Sequence, residues 1–324
     1  MFDLKAFREQ KIPTQDEIIL QWETEIYSKS IVSIVCTSFN QESYIEDAFK
    51  GFLTQKTNFP FEIIIHDDAS SDNTVNIIKK YVEQYPLIIK PILQKENQYS
   101  KSPNSVLLIA FEAVNSEFIA LCEGDDFWID ENKLQCQYNA LLKYPEIKIC
   151  FTAAFGLYAD GTTKNIANYS STEKIIRTSE VIRGGGGFMP TASLFIRRVS
   201  IMNLPSWFSS APVGDYYIQT IASMDSGALY LHLNSCCYRL SALGSWSRSN
   251  TNVDKLINFM AEYNASLNKL AASYGKYRFD FIYTIIKMNI ITPLVLLRDK
   301  KTISFIRYIC FLFFGRKVSI YKCR

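Results

Sequence analysis

Two clusters of acidic residues follow apolar runs in this sequence. Asp67 and Asp68 come directly after the run EIIIH, and the segment EGDD (Glu123–Asp126) closes the run that begins FIALC. Like charges this close repel one another unless solvent or a cation relieves them, and hard divalent cations prefer oxygen ligands. The second cluster therefore predicts a metal site that neutralises a diphosphate. The structural alternatives are a solvated acidic turn or a helix N-cap before Asn132 for the second cluster, and ordinary turn chemistry for the first.

The elements that carry these clusters alternate between strand and helix. Strands are predicted at the apolar runs 31–36, 62–66, 87–93, 118–123 and 147–155. Helices are predicted between them, at 44–54, 75–85, 104–115 and 131–144. This alternation indicates an α/β fold of βαβ units with a largely parallel sheet. Ligands bind such sheets beyond the carboxyl ends of the strands, so both acidic clusters are predicted to meet at one edge.

The second half of the chain is less regular. Strands are predicted at TASLFI, ALYLHL and CCYRL, and a helix is predicted to begin near Asp215. The run GGGG (184–187) is interpreted as a flexible loop, with a mobile flap over a substrate as the alternative.

Several other kinds of site have little support in the sequence. No GxGxxG or GxxxxGK[ST] segment follows the first predicted strand, which argues against dinucleotide and P-loop sites. The chain has only two histidines, His66 and His232, so a zinc site or a Ser-His-Asp hydrolase is poorly supported. A net charge of +3 implies no nucleic-acid partner. Carboxylates are left to do any acid–base chemistry.

Three segments, in this order, resemble the family 2 glycosyltransferases with the GT-A fold: IVSIVCTSFNQESYIEDAFKGFLTQ, FEIIIHDDASSDNT and FIALCEGDDFW. The resemblance covers about residues 30–245 and implies a Rossmann-like, mostly parallel central sheet flanked by helices. Glu123 stands where Asp is commoner in the family. Asp125 and Asp126 are implied to bind Mn²⁺ or Mg²⁺. The nucleotide-sugar contacts that the resemblance implies are Thr37, Phe39, Asp67, Asp68, Asp125 and Trp246.

The segment VGDYYIQTIAS resembles the acidic motif that supplies the catalytic base in related enzymes, with Asp215 at that position. The implied reaction is inverting transfer of a sugar from a nucleotide-diphosphate sugar, a UDP-sugar by family precedent, to an acceptor hydroxyl. The acceptor is implied to be lipid-linked or an oligosaccharide, in bacterial lipopolysaccharide O-antigen or capsular polysaccharide synthesis. The absence of QxxRW favours a single transfer over a processive synthase. A helix N-cap is the structural alternative for Asp215.

Two other functions remain open. A sugar-1-phosphate nucleotidylyltransferase also combines an α/β sheet with acidic metal ligands, but it needs a Gly-rich, basic loop where this chain has TSFNQESY. A non-catalytic binding protein of the GT-A fold is the second alternative. Such a protein would more often have lost one acid among Asp68, Asp126 and Asp215, and all of these are present.

The chain is predicted to divide into three parts. Residues 1–30 form a helical lead-in, and residues 31–250 form the GT-A catalytic domain. Within that domain, residues 31–127 are the nucleotide-sugar-binding half and residues 128–250 the acceptor half. Residues 251–324 form a helical C-terminal extension rich in basic and aromatic side chains.

The C-terminal extension is predicted to contact the inner membrane peripherally. Its apolar runs 281–297 and 303–314 are interrupted by charged residues, which favours interfacial or packed helices over membrane spans. The start MFDLKAFREQ carries charges where a signal peptide has its apolar core. Cys36, Cys122 and Cys150 lie in apolar runs and are interpreted as buried free thiols. These patterns together favour the cytoplasmic face of that membrane.

Overall fold

The computed structural model describes residues 2–23, 26, 28–240, 242, 253–298 and 301–314. The chain separates into two compact units, Met1–Ser245 and Trp246–Arg324.

The first unit contains strands and helices in alternation. Its strands are β1 (Val32–Ser38), β2 (Phe61–Asp67), β3 (Ile89–Leu93), β4 (Phe118–Glu123), β5 (Phe127–Trp128), β6 (Ile149–Leu157), β7 (Thr163–Ile166), β8 (Lys174–Ile176), β9 (Phe195–Arg197) and β10 (Ala228–Arg239). Its helices are α1 (Leu4–Glu9), α2 (Gln15–Ile19), α3 (Ile45–Leu53), α4 (Thr74–Gln84), α5 (Ser105–Glu112), α6 (Lys133–Lys143), α7 (Thr178–Gly184) and α8 (Asp215–Ala222).

One sheet joins all of these strands in the order β3-β2-β1-β4-β9-β6-β10-β5, with β7 paired to β6 and β8 to β10. Strands β3, β2, β1 and β4 run parallel to one another, as do β6 and β10. Strand β9 is antiparallel to both of its neighbours. The prediction of an α/β fold with a central, largely parallel sheet flanked by helices is confirmed.

Parallel pairing brings the two acidic clusters to the same edge of the sheet. The register of β1 with β2 pairs Ser38 with Asp67. The register of β1 with β4 pairs Thr37 with Glu123. The carboxyl ends of these strands therefore lie side by side, as the strand-helix alternation predicted.

Two details of the acceptor half differ from the sequence-based prediction. Thr191–Ser193 forms a 3₁₀ turn rather than part of a strand, and only Phe195–Arg197 pairs within the sheet. The strands predicted at ALYLHL and CCYRL are one strand, β10, with register shifts between Leu231 and Cys236. The extra residues of a bulge interrupt the alternation of side chains between the two faces of the sheet. The sequence pattern of one strand therefore predicts two shorter strands.

The segment after the acidic cluster is anchored by a large aromatic side chain. Trp128 is fully buried, packs edge-on against Phe52 at 4.8 Å and donates from its indole N–H to the carbonyl of Ala192 at 2.7 Å. A Cβ atom at Gly51 would lie 2.6 Å from the Trp128 carbonyl oxygen. Only glycine therefore allows helix α3 to approach β5 this closely.

The second unit is helical where it is described. It contains α9 (Val253–Ser273), α10 (Arg278–Arg298) and α11 (Thr302–Phe314). Met260, Leu296 and Tyr308 form its buried apolar cluster. Among the described residues, one helix, Gly275–Arg298, is long and apolar enough to cross a membrane by length and composition, and 28% of its most apolar window is buried.

Candidate active site

Asp67, the last residue of β2, is fully buried and its carboxylate is held by hydroxyl and amide groups. Ser38 donates from Oγ at 3.0 Å, and Ser70 donates from Oγ at 2.6 Å and from its backbone amide at 2.9 Å. These bonds tie the end of β1 to the turn after β2. Asp67 therefore shapes the edge of the sheet from within.

Asp68 anchors the loop that follows β3. Its carboxylate accepts from the backbone amides of Gln98 at 2.6 Å and Tyr99 at 3.0 Å, and its own amide donates to the Ser38 carbonyl at 3.0 Å. Phe39, next to Ser38, and Tyr99 both have about half of their surface exposed. The backbone contacts of Asp68 thus hold the exposed Tyr99, and Ser38 next to the exposed Phe39, close to Asp68.

The three carboxylates of the EGDD segment differ in exposure. Glu123 is exposed, Asp125 is half-buried and Asp126 is only 1% exposed. Asp126 Oδ1 accepts the backbone N–H of Arg239 at 2.8 Å. Within the part of the chain that the structure describes, the buried Oδ2 of Asp126 has no hydrogen-bond partner. Glu123 and Asp125 are therefore accessible to solvent, whereas Asp126 is buried.

Gly124 allows the EGDD segment to turn against the end of β1. Its backbone N–H donates to the Thr37 carbonyl at 2.9 Å. A Cβ atom at this position would lie 2.7 Å from Ile45 Cδ1 and closer still to Gln41 Oε1. A larger residue would therefore have to displace the ends of the Gln41 and Ile45 side chains.

Repulsion and burial together disfavour ionisation of these acids. The protein groups packed around its carboxyl, and then the charges of Asp125 and Asp215, raise the pKa of Glu123 to about 8. Burial also raises the pKa of Asp125, against the lowering effect of Arg239. The pKa of Asp126 is raised well above its ordinary value by burial, then by Asp125 and Glu123. A cation bound here would relieve this repulsion.

Asp215 lies close enough to the EGDD segment for its charge to raise the pKa of Glu123. It is the first residue of α8, after Gly214 at the N-cap, so the structural alternative in which Asp215 is the N-cap does not hold. Its Oδ1 accepts the N–H of Tyr216 at 2.7 Å and its Oδ2 accepts the hydroxyl of Thr191 at 3.4 Å. Burial is the largest effect on Asp215, and it raises the pKa.

Comparison with protein families tests the resemblance of the three sequence segments. The family model described as glycosyl transferase family 2 matches residues 33–202, more than half of the chain. The chain belongs to glycosyl transferase family 2.

The chain has relatives among bacterial proteins. It is 34% identical over 221 residues to an uncharacterized protein of Mycobacterium tuberculosis, an alignment that covers 68% of this chain and 62% of the relative. It is 31% identical over 113 residues to the Escherichia coli enzyme UDP-Glc:alpha-D-GlcNAc-diphosphoundecaprenol beta-1,3-glucosyltransferase WfgD. This second alignment covers 35% of this chain and 42% of the relative. The chain thus spans less than two thirds of the length of either relative.

A solved structure shows the same fold. S. aureus TarS 1–349 in complex with UDP-GlcNAc superposes with a TM-score of 0.58 at 15% identity, over 74% of this chain and 66% of that chain. The chain has the GT-A fold, as its three sequence segments predicted.

The acidic segment EGDD provides an incomplete set of metal ligands. In the described ranges, no group of three or more His, Cys, Asp or Glu side chains is placed to hold a metal ion. The donors that are present are carboxylate oxygens, and the buried Oδ2 of Asp126 is among them. This donor set fits a hard divalent cation that takes its other ligands from a bound diphosphate.

Two residues at the end of β10 belong to the site and were missed by the sequence analysis. Burial, and then the charges of Asp126, Glu123 and other acids, raise the pKa of the Tyr238 hydroxyl. The hydroxyl is therefore near enough to the acidic cluster to be affected by its charges. Arg239 is 7% exposed and donates to the carbonyl of Asp125. A basic residue that ends an apolar strand was the available signal for Arg239. Trp246, predicted as a nucleotide-sugar contact, lies outside the described residues.

Proposed function

We propose that this glycosyltransferase transfers a sugar, with inversion, from a UDP-sugar to a hydroxyl of a lipid-linked or oligosaccharide acceptor. The pathway would be the synthesis of bacterial O-antigen or capsular polysaccharide. The observation that carries the proposal is the approach of Asp215 to the EGDD segment at the carboxyl edge of β4. Such a transfer needs both a base and a diphosphate-binding centre, and the charge of Asp215 acts on Glu123 of the EGDD segment.

The nucleotide would bind along the edge formed by β1 and β2. The exposed ring of Phe39 provides a surface on which a base can stack. Thr37 lies beside Glu123 in the register of β1 with β4. Asp67 and Asp68 have their carboxylates engaged with the protein, so in this proposal they act first by shaping the pocket.

Asp125 and Asp126 would hold Mn²⁺ or Mg²⁺ together with the diphosphate. Such an ion, when bound, stabilises the negative charge that develops on the leaving nucleoside diphosphate. The accessible position of Asp125 and the unpartnered Oδ2 of Asp126 support this role. Arg239, which donates to the Asp125 carbonyl, holds that part of the segment in place.

Asp215 would accept the proton of the attacking hydroxyl on one of its carboxylate oxygens. The amide of Tyr216 and the hydroxyl of Thr191 fix the orientation of that carboxylate. Burial favours the neutral form of Asp215 and so raises its pKa towards neutral pH. A general base is most effective when its pKa lies near the pH at which the enzyme works. Holding hydroxyl and sugar in line supplies much of the remaining rate enhancement.

The choice of acceptor rests on relatives. WfgD acts, by its name, on a sugar linked to diphosphoundecaprenol. A lipid-linked acceptor would also suit the apolar second unit of this chain.

The proposed function predicts nucleoside diphosphate release that depends on a divalent cation. A panel of nucleotide sugars, supplied with polyprenyl-diphosphate-linked saccharides, should yield UDP from at least one UDP-sugar, and EDTA should abolish the release. The measurement is diphosphate release together with mass spectrometry of the acceptor. Nucleotide binding without turnover of any donor would instead favour a non-catalytic binding protein.

We propose further that the second unit holds the enzyme on an anionic membrane surface without crossing it. One stripe of α10 is exposed and apolar at helical spacing, and it consists of Phe279, Tyr283, Ile286, Ile290, Leu294 and Leu297. Lys276, Arg298 and Lys301 are exposed in the same unit. Arg307 is paired with Asp254 and so adds little attraction. Three further basic residues of the extension, Lys300, Arg316 and Lys317, lie outside the described residues.

Binding of the protein to anionic vesicles should weaken as salt rises, because at about 1 M salt the Debye length is only about 3 Å. Ile290→Asn with Leu294→Asn should lower vesicle partitioning by at least about tenfold, since burial of each such side chain contributes roughly 1.5–3 kcal/mol. Leu142→Asn, at an exposed leucine of α6, is the matched control and should leave partitioning unchanged. Cosedimentation measures both.

Extraction of cell membranes at alkaline pH separates a surface contact from a span. The protein should be released under these conditions. Retention in the membrane pellet would mean that α10 crosses the bilayer, and partitioning unaffected by the paired substitution would contradict the role of the apolar stripe.

A further inference from the structure

We infer that helix α1 positions the acidic segment of the active site through a clamp of three charged side chains, Arg8, Asp47 and Arg239. The inference rests on the proposed function, because it assigns these residues a role in binding metal and nucleotide. The three come from α1, α3 and the end of β10, and none belongs to the EGDD segment itself.

Arg239 contacts two of the acidic residues at once. Its backbone N–H donates to Asp126 Oδ1 at 2.8 Å, and its guanidinium donates to the backbone carbonyl of Asp125. The guanidinium carbon lies 4.5 Å from the ring centre of Phe127 and 4.9 Å from that of Tyr44. Two aromatic rings therefore pack against the guanidinium and limit its movement, and its hydrogen bonds hold the backbone of the acidic segment.

Asp47 is the counterion that holds Arg239 in this position. It is 5% exposed, and its Oδ2 accepts from the guanidinium of Arg239. The same carboxylate accepts from Arg8 Nε at 2.9 Å and from Arg8 Nη2 at 2.6 Å. One buried carboxylate thus joins two guanidinium groups, and a charge-assisted pair of this kind is geometrically specific.

Helix α1 is seated firmly enough to hold Arg8 in place. Lys50, on α3, donates to the carbonyl oxygens of Arg8 and Gln10. Phe7 is buried with its ring centre 4.9 Å from that of Phe127, the residue directly after Asp126. Both polar and apolar contacts therefore connect α1 with the acidic segment.

Two residues of the clamp lie outside the part of the chain that matches the family model. Arg8 and Arg239 lie on either side of residues 33–202, whereas Asp47 lies within them. Residues that orient metal ligands without touching the metal affect metal affinity strongly, since small displacements of a carboxylate weaken coordination. A role in positioning predicts that the metal-dependent part of nucleotide binding depends on α1.

The test is calorimetric binding of UDP to the full chain, with Mn²⁺ and with EDTA. Arg8→Ala should raise the Kd for UDP in Mn²⁺ by about 10- to 100-fold, the range typical of residues that orient metal ligands. The Kd in EDTA should stay at the wild-type value. Lys5→Ala, on the same helix with an exposed side chain, is the matched control and should change neither value. Arg8→Lys should restore part of the loss, because it keeps the charge but not the forked geometry.

A purely structural role would lower the melting temperature without changing the ratio of the two Kd values. Well-folded Arg8→Ala protein with a wild-type ratio would therefore overturn the clamp. Should that variant not fold, Arg239→Lys, which keeps the backbone bond to Asp126, serves the same test, and an unchanged ratio there also overturns it. Wild-type protein that binds no nucleotide would contradict the proposed function and the clamp with it.

Discussion

Asp215→Asn is expected to lower turnover by about 10²–10⁴-fold, the usual contribution of a general base. Asparagine has nearly the shape of aspartate and can still accept the N–H of Tyr216 and the hydroxyl of Thr191. The melting temperature should therefore stay close to that of the wild type. Donor affinity should also persist, because the base acts on the acceptor. Turnover, UDP-sugar affinity and melting temperature are the three measurements.

The pH dependence of the wild type provides a second check on Asp215. Burial raises its pKa above the ordinary value of 3.8, and only the carboxylate form accepts a proton. Turnover should therefore fall as the pH drops through this raised pKa, at a higher pH than an exposed aspartate would give. Near wild-type turnover in well-folded Asp215→Asn protein would remove Asp215 from the mechanism. The search would then turn to Asp225 and Glu180, of which Glu180 is paired with Arg177.

Asp126→Asn is expected to abolish metal-dependent binding of UDP, reducing the affinity in Mn²⁺ to the value measured in EDTA. The substitution removes the charge that a cation needs but keeps an oxygen that can accept the N–H of Arg239. The fold should therefore persist. Asp126→Ala is expected to lose the same binding and, in addition, about 1–3 kcal/mol of stability, because it leaves that buried N–H without an acceptor. Calorimetry with UDP and thermal unfolding measure the two effects.

Asp125→Asn is the comparison that distinguishes the role of Asp125 in metal binding from that of Asp126. Asp125 is half-buried, and the Arg239 guanidinium contacts its backbone carbonyl rather than its carboxylate, so its substitution should cost little stability. Metal-dependent binding that survives in Asp126→Asn but is lost in Asp125→Asn would show that Asp126 is a buried acceptor for β10. The ligands would then be assigned to Asp125 and Glu123.

Local patterns in the sequence determined the core of the fold and the location of the site. Apolar runs of strand length alternate with amphipathic helices, and short-range periodicity of this kind is what one sequence can reveal. Strand β4 was predicted with its observed ends, and the other parallel strands lie within two residues of their predicted starts. Because parallel strands share one carboxyl edge, the joint position of Asp67 and Glu123 followed without any tertiary information.

The tertiary structure alone decided how the carboxylates of the site differ from one another. Asp125 and Asp126 are neighbours in an acidic turn, and no local pattern tells which of them faces inward. Asp126 does so because the N–H of Arg239 reaches it from a strand 113 residues further along the chain. Likewise, Asp47 meets Arg239 across 192 residues and Arg8 across 39. Contacts of this kind depend on the packing of distant elements, whereas hydrophobic periodicity reports only on the face that a segment buries.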